Sequence, residues 1–116
     1  MNKDSQGCPV KSVRWEGKTC IVTVAGDVNI DCSVEFQREL LAQAEKKPKR
    51  IVVDLGGVQF MDSSGVASLV KLLSAAKKSG IELRLAALDE RVRGIFEVTR
   101  LNTVFDIRDS LEEALA

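Results

Sequence analysis

The sequence predicts a single α/β domain: a mixed, mostly parallel sheet with an N-terminal hairpin and helices packed against it. Three observations carry this. Short β-branched runs alternate with apolar stripes at helical spacing, turn and cap residues punctuate them, and 116 residues allow one core but not two.

Residues 1–11 are polar and read as a flexible leader, with the domain over 12–116. Ser12-Val13-Arg14-Trp15, a turn at Glu16-Gly17-Lys18 and the run Thr19 to Ala25, ending at Gly26, predict a hairpin. Its second arm alternates and should be half buried, with Trp15 as a cap on the sheet. A helix should start near Asp31 or Ser33, both good N-cap types, and pass through Phe36, Leu40, Leu41 and Ala44 before Lys46-Lys47-Pro48 ends it. Ile51-Val52-Val53-Asp54-Leu55 reads as a strand, followed by a loop to Ser64. Val66, Leu69, Val70, Leu73 and Ala76 then form a helical stripe that stops at Lys77-Lys78-Ser79-Gly80.

Ile81 to Ala86 alternates as a strand. A third helix begins near Asp89 with Val92, Ile95, Phe96 and Thr99 on one side. Val104-Phe105-Asp106-Ile107 reads as a short strand, and Asp109-Ser110-Leu111-Glu112 opens a final helix with capping-box-like spacing. The order is β-β-α-β-α-β-α-β-α. Right-handed crossovers place the loop before Ser64 at the carboxyl ends of the parallel strands, where α/β folds commonly hold their function.

Composition excludes several functions. The formal net charge is +0, so there is no basic footprint for nucleic acid. The start carries no apolar signal-peptide run and no stretch matches a membrane span, which with Cys8, Cys20 and Cys32 outside any C-x-x-C pair suggests a reduced, cytoplasmic chain without membrane insertion. Cys20 and Cys32 read as small apolar packing groups. No histidine and no tyrosine occur, which removes the usual general base for a nucleophile and the commonest transition-metal ligand. Neither a dinucleotide fingerprint nor a phosphate-cradling loop is present, since Gly56-Gly57 precedes Val58-Gln59-Phe60 rather than a helix. Asp54 and Asp62 have no fixed mutual geometry and read as a strand-end and a helix-cap carboxylate. No catalysis, cofactor or metal is expected.

The remaining motif is Gln59-Phe60-Met61-Asp62-Ser63-Ser64-Gly65-Val66, a strand exit that opens a helix with a carboxylate and two hydroxyls. On spacing alone these residues serve equally as helix caps, because Asp and Ser satisfy orphan amides at helix starts. Val53-Asp54-Leu55 followed by Phe60 to Val66, however, resembles the phosphorylation signature of the STAS domain family, specifically bacterial anti-anti-sigma factors. The resemblance runs from about Val10 through Gly26, the Arg91-Val92-Arg93-Gly94-Ile95-Phe96 helix and Thr99-Arg100-Leu101 to Ser110-Leu111-Glu112-Glu113-Ala114-Leu115.

It implies the STAS fold and a regulator whose unmodified form binds an anti-sigma factor that is also a serine kinase, freeing a sigma factor. Phosphorylation of the serine after the motif aspartate, here Ser63, ends that binding, and a metal-dependent serine phosphatase restores it. The partner-binding residues implied are Asp27, Asn29, Asp62, Ser63, Ser64, Gly65, Ser68 and Lys71. Gly65 would let a partner backbone approach, and Ala67, Ser68, Lys71 and Ser74 would offer a small-residue helix face. One departure stands out: the family commonly carries G-E-L-D where this chain reads Gly26-Asp27-Val28-Asn29, an amide in place of the second carboxylate. The alternative implied by the family is an unphosphorylated regulatory subunit of a transport complex, such as a lipid-transport ATPase, or of another signalling complex.

Overall fold

The computed structural model describes residues 9–116, so Cys8 and most of the predicted leader lie outside the described residues. The hairpin pairs β1 (Val10–Glu16) with β2 (Thr19–Val28) in antiparallel register, Glu16 opposite Thr19. Its two-residue turn has positive φ at Gly17 (63°) but not at Lys18, the type II′ pattern that matches the twist of paired strands. The edge strand begins at Val10, before the expected Ser12, and the backbone N–H of Ala25 donates to the Pro9 carbonyl at 3.0 Å. Trp15 lies on this edge and is 39% exposed.

The chain continues through α1 (Ser33–Glu45), β3 (Arg50–Met61), α2 (Ser63–Ser79), β4 (Glu82–Ala86), α3 (Glu90–Val98), a 3₁₀ turn at Leu101–Thr103, β5 (Asp106–Arg108) and α4 (Leu111–Leu115). The order of elements is the one predicted. The sheet runs β1-β2-β3-β4-β5, antiparallel at β1 and parallel at every other pair.

Two strands run further than expected. β2 does not end at Gly26 but passes through it, at φ 90°, to Val28, and β3 passes through Gly56-Gly57 to Met61. The extensions pair with each other, Ala25 with Gly57, Asp27 with Phe60 and Val28 with Met61, while the β3–β4 register ends at Asp54 and Ala86. A two-stranded ribbon therefore projects beyond the sheet. Each of its two register shifts adds one residue to β3, as in a β-bulge. Gly57 makes the ribbon possible, since a Cβ there would sit 2.8 Å from the Ala25 Cβ. β5 starts later than expected, at Asp106, because the Val104 amide is taken by the Leu101 carbonyl in the 3₁₀ turn.

Alternation along the strands divides the apolar residues between two faces. On one, Val22, Ile51, Val53 and Leu85 pack with Phe36 and Leu40 of α1, Leu69 and Leu72 of α2, and Val92 and Phe96 of α3. Phe96 meets Phe105 edge-to-face with ring centroids 5.4 Å apart. On the other, α4 packs Ala114, Leu111 and Leu115 against Val52 and Ala86. A five-residue helix is not stable alone. Here Ser110 caps it by accepting from the Glu113 amide, and the buried Arg84 guanidinium donates to the Ala114 and Ala116 carbonyls at 2.8 and 2.9 Å.

The helices mostly end where expected. Asp62 and Asp89 cap α2 and α3, and Gly80 stops α2 at φ 70° after Lys77 and Lys78. Two details differ. The N-cap of α1 is Cys32 rather than Asp31 or Ser33, and its side chain caps no amide of the helix. The buried face of α2 comprises Gly65, Val66, Ser68, Leu69, Leu72 and Ala76, leaving Val70 39% exposed and Leu73 half-buried. Its stripe is turned from the expected one because Gly65 and Ser68, two small residues, face inward.

Candidate functional site

The ribbon delivers Asp27-Val28 and Phe60-Met61 side by side to the start of both α1 and α2. Asp62 joins them. Its extended backbone (φ −98°, ψ −174°) sets the carboxylate over the first turn of α2. There Oδ1 accepts from the Ser64 amide (2.9 Å), the Ser64 hydroxyl and the Gly65 amide (3.3 Å). Oδ2 accepts from the Ile30 amide at 3.1 Å, and the Asp62 amide donates to the Val28 carbonyl at 3.1 Å. One side chain thus caps a helix and ties it to the loop before α1.

The Ser64 hydroxyl, foremost, holds the Asp62 carboxyl below its ordinary range; partial burial opposes this, and the Gly65, Ser64 and Ile30 amides reinforce it. A depressed carboxyl pKa stabilises the fold above the unfolded-state value, and that contribution is lost as pH falls through the folded value. Asp62→Ala should therefore cost about 0.5–2 kcal/mol near neutral pH, the range for lost N-caps. Urea melts of both forms should differ at neutral pH and converge once acid has protonated the native carboxyl; an unchanged gap in acid would mean that the cap is not acting as an anion.

The two adjacent hydroxyls are in different states. Ser64 donates to Asp62, whereas Ser63, the first residue of α2, is exposed and its hydroxyl makes no hydrogen bond among the described residues. Ser68 is not on an exposed docking face: it is 2% exposed, and its hydroxyl lies 3.2 Å from the Ser33 carbonyl and 3.1 Å from the Ser64 carbonyl, fastening α2 to the start of α1. Nor does Gly65 face a partner. It is buried, and a Cβ there would lie 2.7 Å from Met61 Cγ and 2.8 Å from Val28 Cγ1, so its missing side chain serves internal packing. Ala67, Lys71 and Ser74 are exposed.

Asp27 is exposed at the end of the ribbon, and Asn29 is half-buried beside it. The Asn29 Oδ1 accepts from the Asp31 amide at 3.0 Å, an Asx turn. A carboxylate would accept the same bond, so Asn29 alters the charge of the loop rather than its path. The Cys32 thiol lies 3.5 Å from the Asn29 carbonyl and 3.6 Å from that of Asp27, supporting the loop from below. Cys20 and Cys32 are both buried and free, and burial, only partly opposed by Lys46, pushes the Cys20 thiol pKa up, in keeping with packing roles. Asp54 accepts from the Gly56 amide at 3.0 Å. Among the described residues no group of three potential metal ligands occurs, and no helix is long and apolar enough to cross a membrane.

Three exposed apolar residues that the sequence did not reveal as a group lie on the segments that meet at the start of α2. Ile30 is 72% exposed, on the loop bonded to Asp62; Val34, one helical turn further, is 68% exposed; and Phe60, two residues before Asp62, is 50% exposed. Asp27, Asp31, Glu35 and Asp62 stand among them, with Glu35 paired to Arg38 at 2.8 Å. Phe60 was visible in the motif, but a lone exposed apolar residue carries no signal until the fold brings others to it.

The STAS domain family model matches residues 11–114, and the chain belongs to that family. The anti-sigma-B factor antagonist of Bacillus subtilis is 31% identical over 86 residues, covering 74% of this chain and 78% of that one. Among solved structures, an anti-sigma factor antagonist from Mycobacterium paratuberculosis superposes with a TM-score of 0.81 at 22% identity, covering 90% of this chain and 88% of that one. A sulfate transporter family protein from Wolinella succinogenes gives 0.75 at 19% identity, covering 90% and 86%. The structural likenesses show the fold alone.

Proposed function

We propose that this chain is an anti-sigma factor antagonist that acts by binding, without turnover, and that its partner docks over Ser63. In this reading the partner is an anti-sigma factor with serine kinase activity, phosphorylation of Ser63 ends the binding, and a metal-dependent phosphatase restores it. The observation that carries the reading is the contrast between the two serines: an exposed, unengaged Ser63 hydroxyl beside a Ser64 hydroxyl held by Asp62. A kinase needs a hydroxyl it can reach and whose proton its own base can take, and the Ser64 proton is already given to Asp62.

Ile30, Val34 and Phe60 support a docking surface around that serine, with Asp27, Asn29 and Lys71 at its margin. Such a surface fits a partner with an apolar centre and basic groups around it. A phosphate would add about −1.5 to −2 charges at the start of α2, where helix amides favour an anion but the neighbouring carboxylates and a docked apolar surface do not. Binding should therefore respond more than folding. The transport-subunit alternative gains only the fold likeness, which does not decide function.

Phosphopeptide mapping after incubation with a cognate kinase tests the reading. All incorporated phosphate should lie on Ser63; modification confined to Ser64 or Ser110 would overturn the assignment.

A further inference from the structure

At the opposite end of the sheet from Ser63, a cleft of about 310 Å³ opens between the β1–β2 turn and the start of β3, lined by Lys18, Thr19, Lys49, Arg50 and Glu82. Its walls are fastened: the Lys18 carbonyl accepts from the Lys49 amide at 2.8 Å and the Arg50 amide at 3.4 Å, and the Lys49 carbonyl from the Glu82 amide at 3.1 Å. The one lining carboxylate is already neutralised twice, by Arg50 Nε at 3.2 Å and by Arg84 Nη2 at 2.8 Å. Arg50 is held further by its Nη1 bond to the Leu115 carbonyl at 3.2 Å, which leaves Nη2 without a hydrogen bond among the described residues. Lys18 and Lys49 have no carboxylate within ion-pairing distance among the described residues.

The cleft therefore combines a fixed, half-buried guanidinium with spare donors, two unpaired ammonium groups and a threonine hydroxyl, in a chain whose net charge is +0. Local surplus on a neutral molecule is not general steering. A free guanidinium Nη2 with flanking lysines is a donor set that suits phosphate oxygens. We propose that this cleft binds a phosphate monoester or diphosphate group, either on a small soluble molecule or on a lipid headgroup. Ten residues of β2 separate the cleft from Val28 at the Ser63 end, about 30 Å at strand rise, so a ligand here and a partner there would not collide.

Pyrophosphate titrated into isotope-labelled full chain at low salt, followed by amide NMR, tests the site. Saturable shifts should centre on Lys18, Thr19, Lys49 and Arg50, weaken with added salt, and require about tenfold more pyrophosphate in a Lys18→Gln/Lys49→Gln variant of unchanged melting temperature. Both lysines are exposed, so the variant should fold. Sedimentation with phosphatidylcholine vesicles separates the two sources: binding to vesicles carrying phosphatidylinositol monophosphate, and not to those carrying phosphatidylserine at equal charge, assigns a headgroup. Pyrophosphate binding without vesicle binding assigns a soluble ligand. Absence of saturable shifts at these four residues, or equal affinity in the variant, would overturn the proposal.

Discussion

Under the proposed function, Ser63→Asp should weaken binding to the anti-sigma partner by about 100-fold, whereas Ser63→Ala should bind nearly as well as the unchanged chain and take up no phosphate from the proposed kinase. The expectation follows from where the charge would sit. Ser63 follows Asp62, whose carboxyl is already held in its charged form and accepts from the Ile30 amide, and it stands three residues after the exposed Phe60. A partner that covers these apolar groups must also strip water from a second carboxylate, and burying an unpaired charge costs several kcal/mol, of which about 3 would suffice for 100-fold. The fold should barely notice. An aspartate in the first turn gains about 0.3–1 kcal/mol from the helix dipole, offset in part by repulsion from Asp62. Calorimetry with the partner, beside the melting temperatures of all three forms, separates binding from folding. Equal affinity for Ser63→Asp and the unchanged chain would reduce Ser63 to a residue of the helix start.

The order of elements and the caps at Asp62, Asp89 and Ser110 were legible because they depend on local chemistry: which residues alternate, and which side chains satisfy end amides. The β2–β3 ribbon was not. Gly26, Gly56 and Gly57 read locally as punctuation, yet each lies inside a strand, because the two extensions supply one another's hydrogen-bond partners and only a glycine fits against Ala25. That pairing joins residues about thirty positions apart and leaves no local periodicity. For the same reason, the loop expected between Asp54 and Ser64 is mostly strand.

At the site, Asp62 and Ser63 were legible as a pair from the motif, and Asp62 as a cap from its residue type. The split between Ser64, bonded, and Ser63, unengaged, depends on a carboxylate rotamer that spacing cannot supply. Ser68 was misread because a serine among apolar neighbours looks like a polar helix face; only the presence of α1, with the Ser33 carbonyl in reach, makes it an internal fastening. Ile30 lies in the β2–α1 loop, Val34 in α1 and Phe60 in β3, and what joins these segments, the Asp62–Ile30 bond among other contacts, is tertiary.

The two helix-interior glycines should respond in opposite directions to alanine, and the contrast measures how closely α2 presses on the ribbon. Both substitutions gain helix propensity, about 1 kcal/mol relative to glycine. At Gly94 in α3 a Cβ meets nothing within 4 Å, so Gly94→Ala should keep that gain. At Gly65 the new Cβ would lie 2.7 Å from Met61 Cγ, 2.8 Å from Val28 Cγ1 and 3.2 Å from the Val28 carbonyl. Met61 can yield only a little, since it is 2% exposed and Cγ lies near the root of its side chain. Val28 cannot yield: it is β-branched, fully buried and paired to Met61 across the ribbon, and its carbonyl is bonded to the Asp62 amide. Overpacking of this kind costs about 1–3 kcal/mol, so Gly65→Ala should be destabilised on balance, and should sit about 1–3 kcal/mol below Gly94→Ala in urea melts. Because relief requires α2 to back away from Val28, the same change should stretch the Asp62–Ile30 tie and lower partner affinity even under conditions where the protein stays folded. Equal stability of the two variants would show that the helix start has room to spare, and that Ser63 is not held against the ribbon in the way these contacts require.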